Sequence, residues 1–398
     1  MTEVQRSAEA TGMLTDQVIS AARAIIGVQL DDLTPSLRTD VNTVIHDNPE
    51  LGYTEFIAHD TLSSYLEQRG FKVTRNAYSI DTSFEAEYDA LPVATSSLAA
   101  FLGAARALVD LKIAGRVRIL GTPAEEGGGG KVKLIEAGAF SPPEDIAGAF
   151  MIHPMSKESL NLGDFSGLAG WRLIASQKLR VEFKGKTAHA AGDPWNGRNA
   201  LDAAVAAYNN VALLRQQIEP DARIHGVFED GGAAPNVIPE YTRMNWCIRS
   251  STTKRSNELL DRVKKCFEAG AAAAGCSINY IPSPTYMDLR VNDTLSETYV
   301  KEMAALGESI MPREAQAKAF GSTDMGNVSY VVPSFHGSFA IPVASGVACH
   351  NPDFATAAAT EEAHAIAIKS AKGLAMLAVR VLVDDNIAQA ARRDFGTS

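Results

Sequence analysis

No run of the 398-residue chain approaches eighteen uninterrupted apolar residues, so the sequence offers nothing long enough to cross a bilayer as a helix. The longest C-terminal apolar run, GLAMLAVRVLV, is broken by Arg380. The first thirty residues lack a basic stretch followed by an apolar one, and no secretory leader is read there. Cysteine is scarce. Cys247, Cys266, Cys276 and Cys349 have no CxxC spacing and read as reduced thiols rather than a disulfide framework, which points to the cytoplasm. Positive charge is also short: 37 Lys+Arg stand against 47 Asp+Glu, a net −10. Nucleic acid and anionic membrane both need a cationic footprint, so neither is expected as the main partner. The glycine run at Gly127–Gly130 is not followed by GK[ST], which excludes a phosphate loop of that type.

What is present is an ordinary globular composition, 46% apolar and 21% charged, in a chain long enough for two domains. Residues 14–175 alternate helices with short apolar strands. A helix is expected over Leu98–Leu111, with Thr95, Ser96 and Ser97 as available N-caps. Strands are expected at Val117–Leu120 and Ile146–Ile152, the second apolar enough to be buried on both faces of a parallel sheet. The middle of the chain changes character. Lys178–Lys184 alternates strictly, with Leu179, Val181 and Phe183 apolar, as a half-buried strand does. A helix (Asn199–Gln216), strands near Arg223–Phe228 and Tyr241–Ser250, a helix (Asn257–Ala273) and a strand (Ser277–Ile281) follow. That β-α-β-β-α-β order is ferredoxin-like. From 291 the strand-and-helix alternation returns, with a capping box at Thr294 and Glu297 and a helix from Glu361 to Asp384 capped by Thr360. The expected architecture is an α/β domain formed by residues 1–176 and 291–398, with a smaller α+β domain, 177–290, inserted into it.

The sharpest chemical signal is Thr122-Pro-Ala-Glu125-Glu126 with its four glycines, directly after an expected strand. Ligands of open α/β sheets sit beyond the carboxyl ends of strands. Adjacent side chains point in different directions, so one carboxylate can hold a metal while its neighbour faces a water, the division of labour in metal-assisted hydrolysis. A solvated acidic turn accounts for the same residues, and spacing does not choose between them. His153 ends the second apolar strand on the same sheet edge, and His350 follows the apolar stretch Ser338–Val343. Two histidines and a glutamate are the protein ligands of many catalytic zinc sites. In the inserted region, His189 suits either a surface turn or a donor reaching a neighbouring site. Gly231–Pro239, with Asn236, suits either a binding loop or a plain connector, and Arg249 is placed to pair with a substrate carboxylate. His46, His59, His225, His336 and His364 read as structural, and Cys349 as packing.

HDNPELGYTE (46–55), EYDALP (87–92), GTPAEEGGGGK (121–131), FMIHP (150–154), GKTAHAAGDPWNGRNALDA (185–203), GGAAPNVIPE (231–240) and GSTDMGNVSYVVP (321–333) occur in that order. Together they resemble the aminoacylase/carboxypeptidase-type metallopeptidases, in the branch of N-acyl amino acid amidohydrolases that includes aminobenzoyl-glutamate and auxin-conjugate hydrolases. The resemblance runs from about residue 14 to 385. It implies a phosphorylase/hydrolase-like, mixed-sheet catalytic domain whose inserted domain acts as lid and dimerises. It also implies a hydrolase of the amide bond in N-acyl amino acids or short dipeptides that uses two divalent ions, zinc or else manganese or cobalt. Glu125 matches the general base. Glu126, His153 and His350 match metal ligands, and His189 the lid histidine that holds the scissile carbonyl, often across the dimer. Asn236, Arg249, Ser322 and Thr323 match substrate-contacting positions.

One departure stands out. The family follows its Asp-Ala-Leu-Pro with a His-x-Cys-x-His stretch that supplies metal ligands, whereas here Pro92 runs straight into Val93-Ala-Thr-Ser-Ser. The segment before the helix at Leu98 also lacks an apolar run able to be its strand. Either a stretch is missing from the sequence at this point or the protein has lost two ligands; a core strand is hard to delete without collapse, which favours the first. Had the ligands been lost, a catalytically degenerate binder of acyl-amino acids or an amide-forming enzyme would be the alternatives.

Overall fold

A computed structural model describes residues 3–87, 96–316 and 321–397. Eleven strands are assigned among them: β1 (Lys72–Arg75), β2 (Phe84–Glu87), β3 (Arg118–Gly121), β4 (Ala149–Met155), β5 (Gly167–Leu168), β6 (Ala175–Lys184), β7 (Arg223–Asp230), β8 (Tyr241–Ser250), β9 (Ser277–Pro282), β10 (Ile310–Met311) and β11 (Ser334–Ala340). They form three sheets in a mixed α/β fold, ordered β1-β2-β3, β10-β5-β11-β4 and β7-β8-β6-β9. In the second, β4 and β11 run parallel, aligning His153 with Ser338.

The larger core lies under helices Glu3–Ser36, Ser96–Asp110 and Glu361–Val383, which pack on one another. Glu302 is buried among them and accepts from Arg23 and Arg380, each at 2.7 Å, so its charge is met from two sides. Thr360 caps the helix that follows it, its side chain accepting from Ala363 N. The helix at Asp293–Ala305 departs from expectation. Asn292 is its cap, accepting from Leu295 N, because the Thr294 N–H is taken by Asp394. Thr95 lies outside the described residues.

The second core belongs to the antiparallel sheet β7-β8-β6-β9 and helices Ala200–Leu214 and Thr253–Ala273. Strict alternation is what buries it: Leu179 and Val181 on β6 lie opposite Trp246 and Met244 on β8, with Phe183 and Ile248 extending the row, all nearly inaccessible. The chain enters and leaves this part through segments that pair with each other, Ser176 and Tyr286 exchanging two backbone hydrogen bonds of 2.9 Å.

The Ile146–Ile152 strand expectation is corrected in two respects. β4 starts at Ala149 because Pro143–Asp145 form a helical turn and Arg392 takes the carbonyls of Pro143, Glu144 and Ile146. It is also only half-buried apart from Ile152, since among the described residues β3 and β4 each have one unpaired edge. The Pro92–Val93 junction, where the family's ligand stretch was expected, lies outside the described residues.

Candidate functional site

The loop after β3 is built to present two carboxylates differently. Ala124 takes a left-handed conformation (φ 54°), uncommon for a residue with a Cβ, and its N–H is held by Glu55 at 2.9 Å. Glu55 is itself fixed by a hydrogen bond from the Thr82 hydroxyl at 2.9 Å, which gives the 46–55 motif a supporting role. Beyond this turn Glu125 points inward. Burial pushes its carboxyl above the usual glutamate range, Asp324 and Glu126 add to that, and Lys131 and a hydrogen bond with Thr323 oppose it. Glu126 points the other way, half exposed, with its carboxylate 3.8 Å from His350 Nε2.

His153 projects from β4 toward the same place. Its Nδ1–H donates to the Pro154 carbonyl at 2.7 Å, leaving Nε2 with the lone pair, and burial lowers its pKa so that the ring stays neutral. Trp171 packs on His153 (6.1 Å between centroids) and on His336 (5.5 Å). His336 is fully buried, which brings its pKa down to about 3. His350 sits in a left-handed turn (φ 68°), a backbone state that concentrates at functional positions. The neighbouring Cys349 thiol is pushed up by burial and stays protonated.

Beneath the loop lies an ion pair that the sequence reading passed over. Lys131 Nζ meets Asp324 Oδ1 at 2.6 Å and Lys131 N donates to Oδ2 at 2.9 Å, with both side chains buried. It joins the GGGGK and GSTD motifs across 193 residues of sequence, so no local pattern announced it. Thr323, 4% exposed, is directed at Glu125; Ser322 is half-buried nearby. Trp171 had no sequence signal.

The remaining candidates lie elsewhere. His189 and Asn236 are brought together on adjoining exposed loops, where Ala190 N donates to the Asn236 carbonyl at 3.1 Å and His189 bridges Val237. His189 Nδ1 accepts from Ala191 N (3.2 Å) and Gly192 N (3.0 Å), so the proton resides on Nε2, which faces outward as a donor. Arg249 is at the other end of β8, opposite Ser176 and with Nε on Cys247 Sγ at 3.4 Å. At the rise of a strand that is roughly 25 Å from the His189 end. Among the described residues no hydrogen bond or ion pair joins His189 or Asn236 to Glu125, Glu126, His153 or His350.

Glu126, His350 and the Nε2 of His153 are donors of the kind zinc-type ions take. Yet no group of three His, Cys, Asp or Glu among the described residues closes on a point that could hold an ion. The described residues therefore do not close a metal centre by themselves.

A strand-end carboxylate pair with a half-buried member and a histidine-faced partner suits metal-assisted hydrolysis, and the relatives of the chain make the class specific: a metal-dependent amide-bond hydrolase. The chain belongs to Peptidase family M20/M25/M40, whose model matches residues 93–375, beginning directly after Pro92. It is 34% identical over 384 positions to the Xaa-Arg dipeptidase of Mus musculus, covering 87% of this chain and 86% of that protein. Those 384 positions exceed what the covered 87% of this chain can fill, so the mouse protein carries residues within the matched region that this chain lacks. A p-aminobenzoyl-glutamate hydrolase polypeptide of Escherichia coli (strain K12) is 26% identical over 89% of this chain and 91% of its own. Among solved structures, a dinuclear metal-binding peptidase of the same family from Bacillus subtilis shares the fold (TM-score 0.60, 18% identity, covering 88% of this chain and 99% of that one). The described helices include none long and apolar enough to cross a membrane.

Proposed function

We propose that the chain hydrolyses the amide bond of N-acyl amino acids or short dipeptides, with Glu125 as the general base. The observation that carries this is the split between the two adjacent carboxylates: Glu125 half-buried and raised in pKa by its withdrawal from water, Glu126 more exposed and facing His350 at 3.8 Å. Glu125 takes a proton from the attacking water and returns it to the leaving amine, which a raised carboxyl does better than an ordinary one. His189, protonated on Nε2, donates to the carbonyl oxygen as it gains charge. Glu126, His153 and His350 would hold divalent metal, two ions with the ligands expected after Pro92; zinc is the first choice, manganese or cobalt the others. When bound, metal supplies Lewis-acid polarisation of the carbonyl. Asn236, Arg249, Ser322 and Thr323 are assigned to the substrate, Arg249 to its carboxylate.

Residues 177–290 are proposed as a ferredoxin-like lid and dimerisation domain on a catalytic domain of residues 1–176 and 291–398. A lid loop from a second copy is what brings His189 to Glu125, since Arg249 lies about 25 Å from the His189 end of the same sheet and one short substrate cannot reach both in a single copy. A homodimer is supported by the open edge of β7, which exposes Val227 (49%) and Phe228 (42%). Four free cysteines support the cytoplasm. A panel of N-acyl amino acids and dipeptides, including aminobenzoyl-glutamate and Xaa-Arg peptides, assayed with added zinc, manganese and cobalt, tests the reading. Metal-dependent release of the amino acid from at least one member is expected, and none from any would refute it.

A further inference from the structure

The tetraglycine turns its amides toward the segment by which the chain leaves the β7-β8-β6-β9 sheet. Tyr286 lies on that segment, buried, three residues past the start of the connection 283–292. Its hydroxyl accepts from Gly127 N at 2.9 Å and Gly129 N at 3.0 Å, and donates to the Glu125 carbonyl at 2.5 Å. Two acceptances and one donation use the full capacity of a phenol oxygen. Burial pushes the Tyr286 phenol far above its ordinary pKa, so the donated proton is always present. A Cβ on Gly129 would lie 2.6 Å from Pro284 Cβ, so this stretch seats directly on the glycines.

The backbone around the tyrosine is held just as closely. Ser176 pairs with Tyr286 in both directions, joining it to the incoming segment. Asn327 brackets it from the 321–333 motif, Nδ2 donating to the Thr285 carbonyl at 3.0 Å and Oδ1 accepting from Met287 N at 3.2 Å. A single hydroxyl thus ties the crossing between the two parts of the molecule to the loop that carries Glu125.

We propose that Tyr286 is a positioning residue that transmits the setting of this hinge to Glu125 through its bonds to Glu125 O, Gly127 N and Gly129 N. The glycine run is then a seat for the hinge rather than an anion cradle. A shift of the outgoing segment drags the loop with it, so lid position and placement of the base change together. The proposal rests on Glu125 as the base, but its structural half stands apart from that reading.

Tyr286→Phe removes the hydroxyl and keeps the ring, so the Gly129 amide loses its partner and the Gly127 amide and Glu125 carbonyl keep only their own 2.7 Å bond to each other. With an active substrate, kcat is expected to fall about 10- to 100-fold with KM within about twofold, the mark of a displaced catalytic group rather than lost binding. Hydrogen exchange of the peptide spanning 124–131, followed by mass spectrometry on the full chain without substrate, should accelerate in Tyr286→Phe. It should also accelerate in Asn327→Ala, which loosens the hinge without touching the loop. Wild-type exchange in either variant, or a change in KM alone, would overturn the proposal. Should the wild-type chain hydrolyse no amide at all, the function reading fails and the exchange data still decide the coupling.

Discussion

Breaking the Lys131–Asp324 pair tests how the site is held together. Asp324→Asn keeps the shape but removes the charge facing Lys131 Nζ at 2.6 Å, where both side chains are almost wholly withdrawn from water. Orphaning one member of a buried pair costs about 3–5 kcal/mol, because the survivor keeps its desolvation penalty without its partner. Lys131→Met should cost about as much from the other side, since Asp324 then retains only the Lys131 backbone N–H at 2.9 Å. Lys131→Met/Asp324→Leu removes both charges and leaves that one buried N–H unpaired, a loss of only about 1–3 kcal/mol. The double variant is thus expected to be more stable than either single one. Equilibrium urea unfolding followed by circular dichroism measures all four proteins. Single variants within about 0.5 kcal/mol of wild type, or losses that simply add in the double, would refute the reasoning.

Two further outcomes follow from single contacts. Gly130→Ala would place a Cβ 1.8 Å from the Pro123 carbonyl, so the turn has to open; loss of nearly all activity is expected, and a fully active variant would contradict the loop geometry. His364 is buried with Nε2–H donating to the Thr34 carbonyl at 3.1 Å; burial lowers its pKa, Arg38 also lowers it and Glu361 raises it. Because the folded pKa lies below the unfolded value of about 6.5, stability is intact above that pH and is lost as pH falls through it, by about 1.4 kcal/mol per unit of depression. Urea unfolding at pH 7.5 and pH 5 should therefore show a smaller drop in His364→Gln than in wild type, and equal drops would contradict it.

Much of the fold was legible where one side of an element is buried and the other is not. The alternation in Lys178–Lys184 and Tyr241–Ser250 could be read directly because one face of each strand packs on helices. Thr360 could be read as a cap because the amide it accepts from, Ala363 N, lies only three residues on. The cap of Asp293–Ala305 could not, since Asp394, about a hundred residues away in sequence, takes the Thr294 amide. The same holds for the start of β4, set by Arg392. In the site, strand-end logic located Glu125, Glu126 and His153, and Glu126 does face His350, which the chain brings back much later. Tyr286 left no trace in the sequence. Its partners are backbone atoms, and only the path of the returning segment brings its hydroxyl to them.

The central claim is that Glu125 moves the proton in a metal-dependent amide hydrolysis. Glu125→Gln, measured against wild type with the same substrate and metal, tests it most directly, with bound metal per chain determined on the same samples. A fall in kcat of at least about a hundredfold with metal content unchanged is predicted. Full turnover in the variant would contradict it.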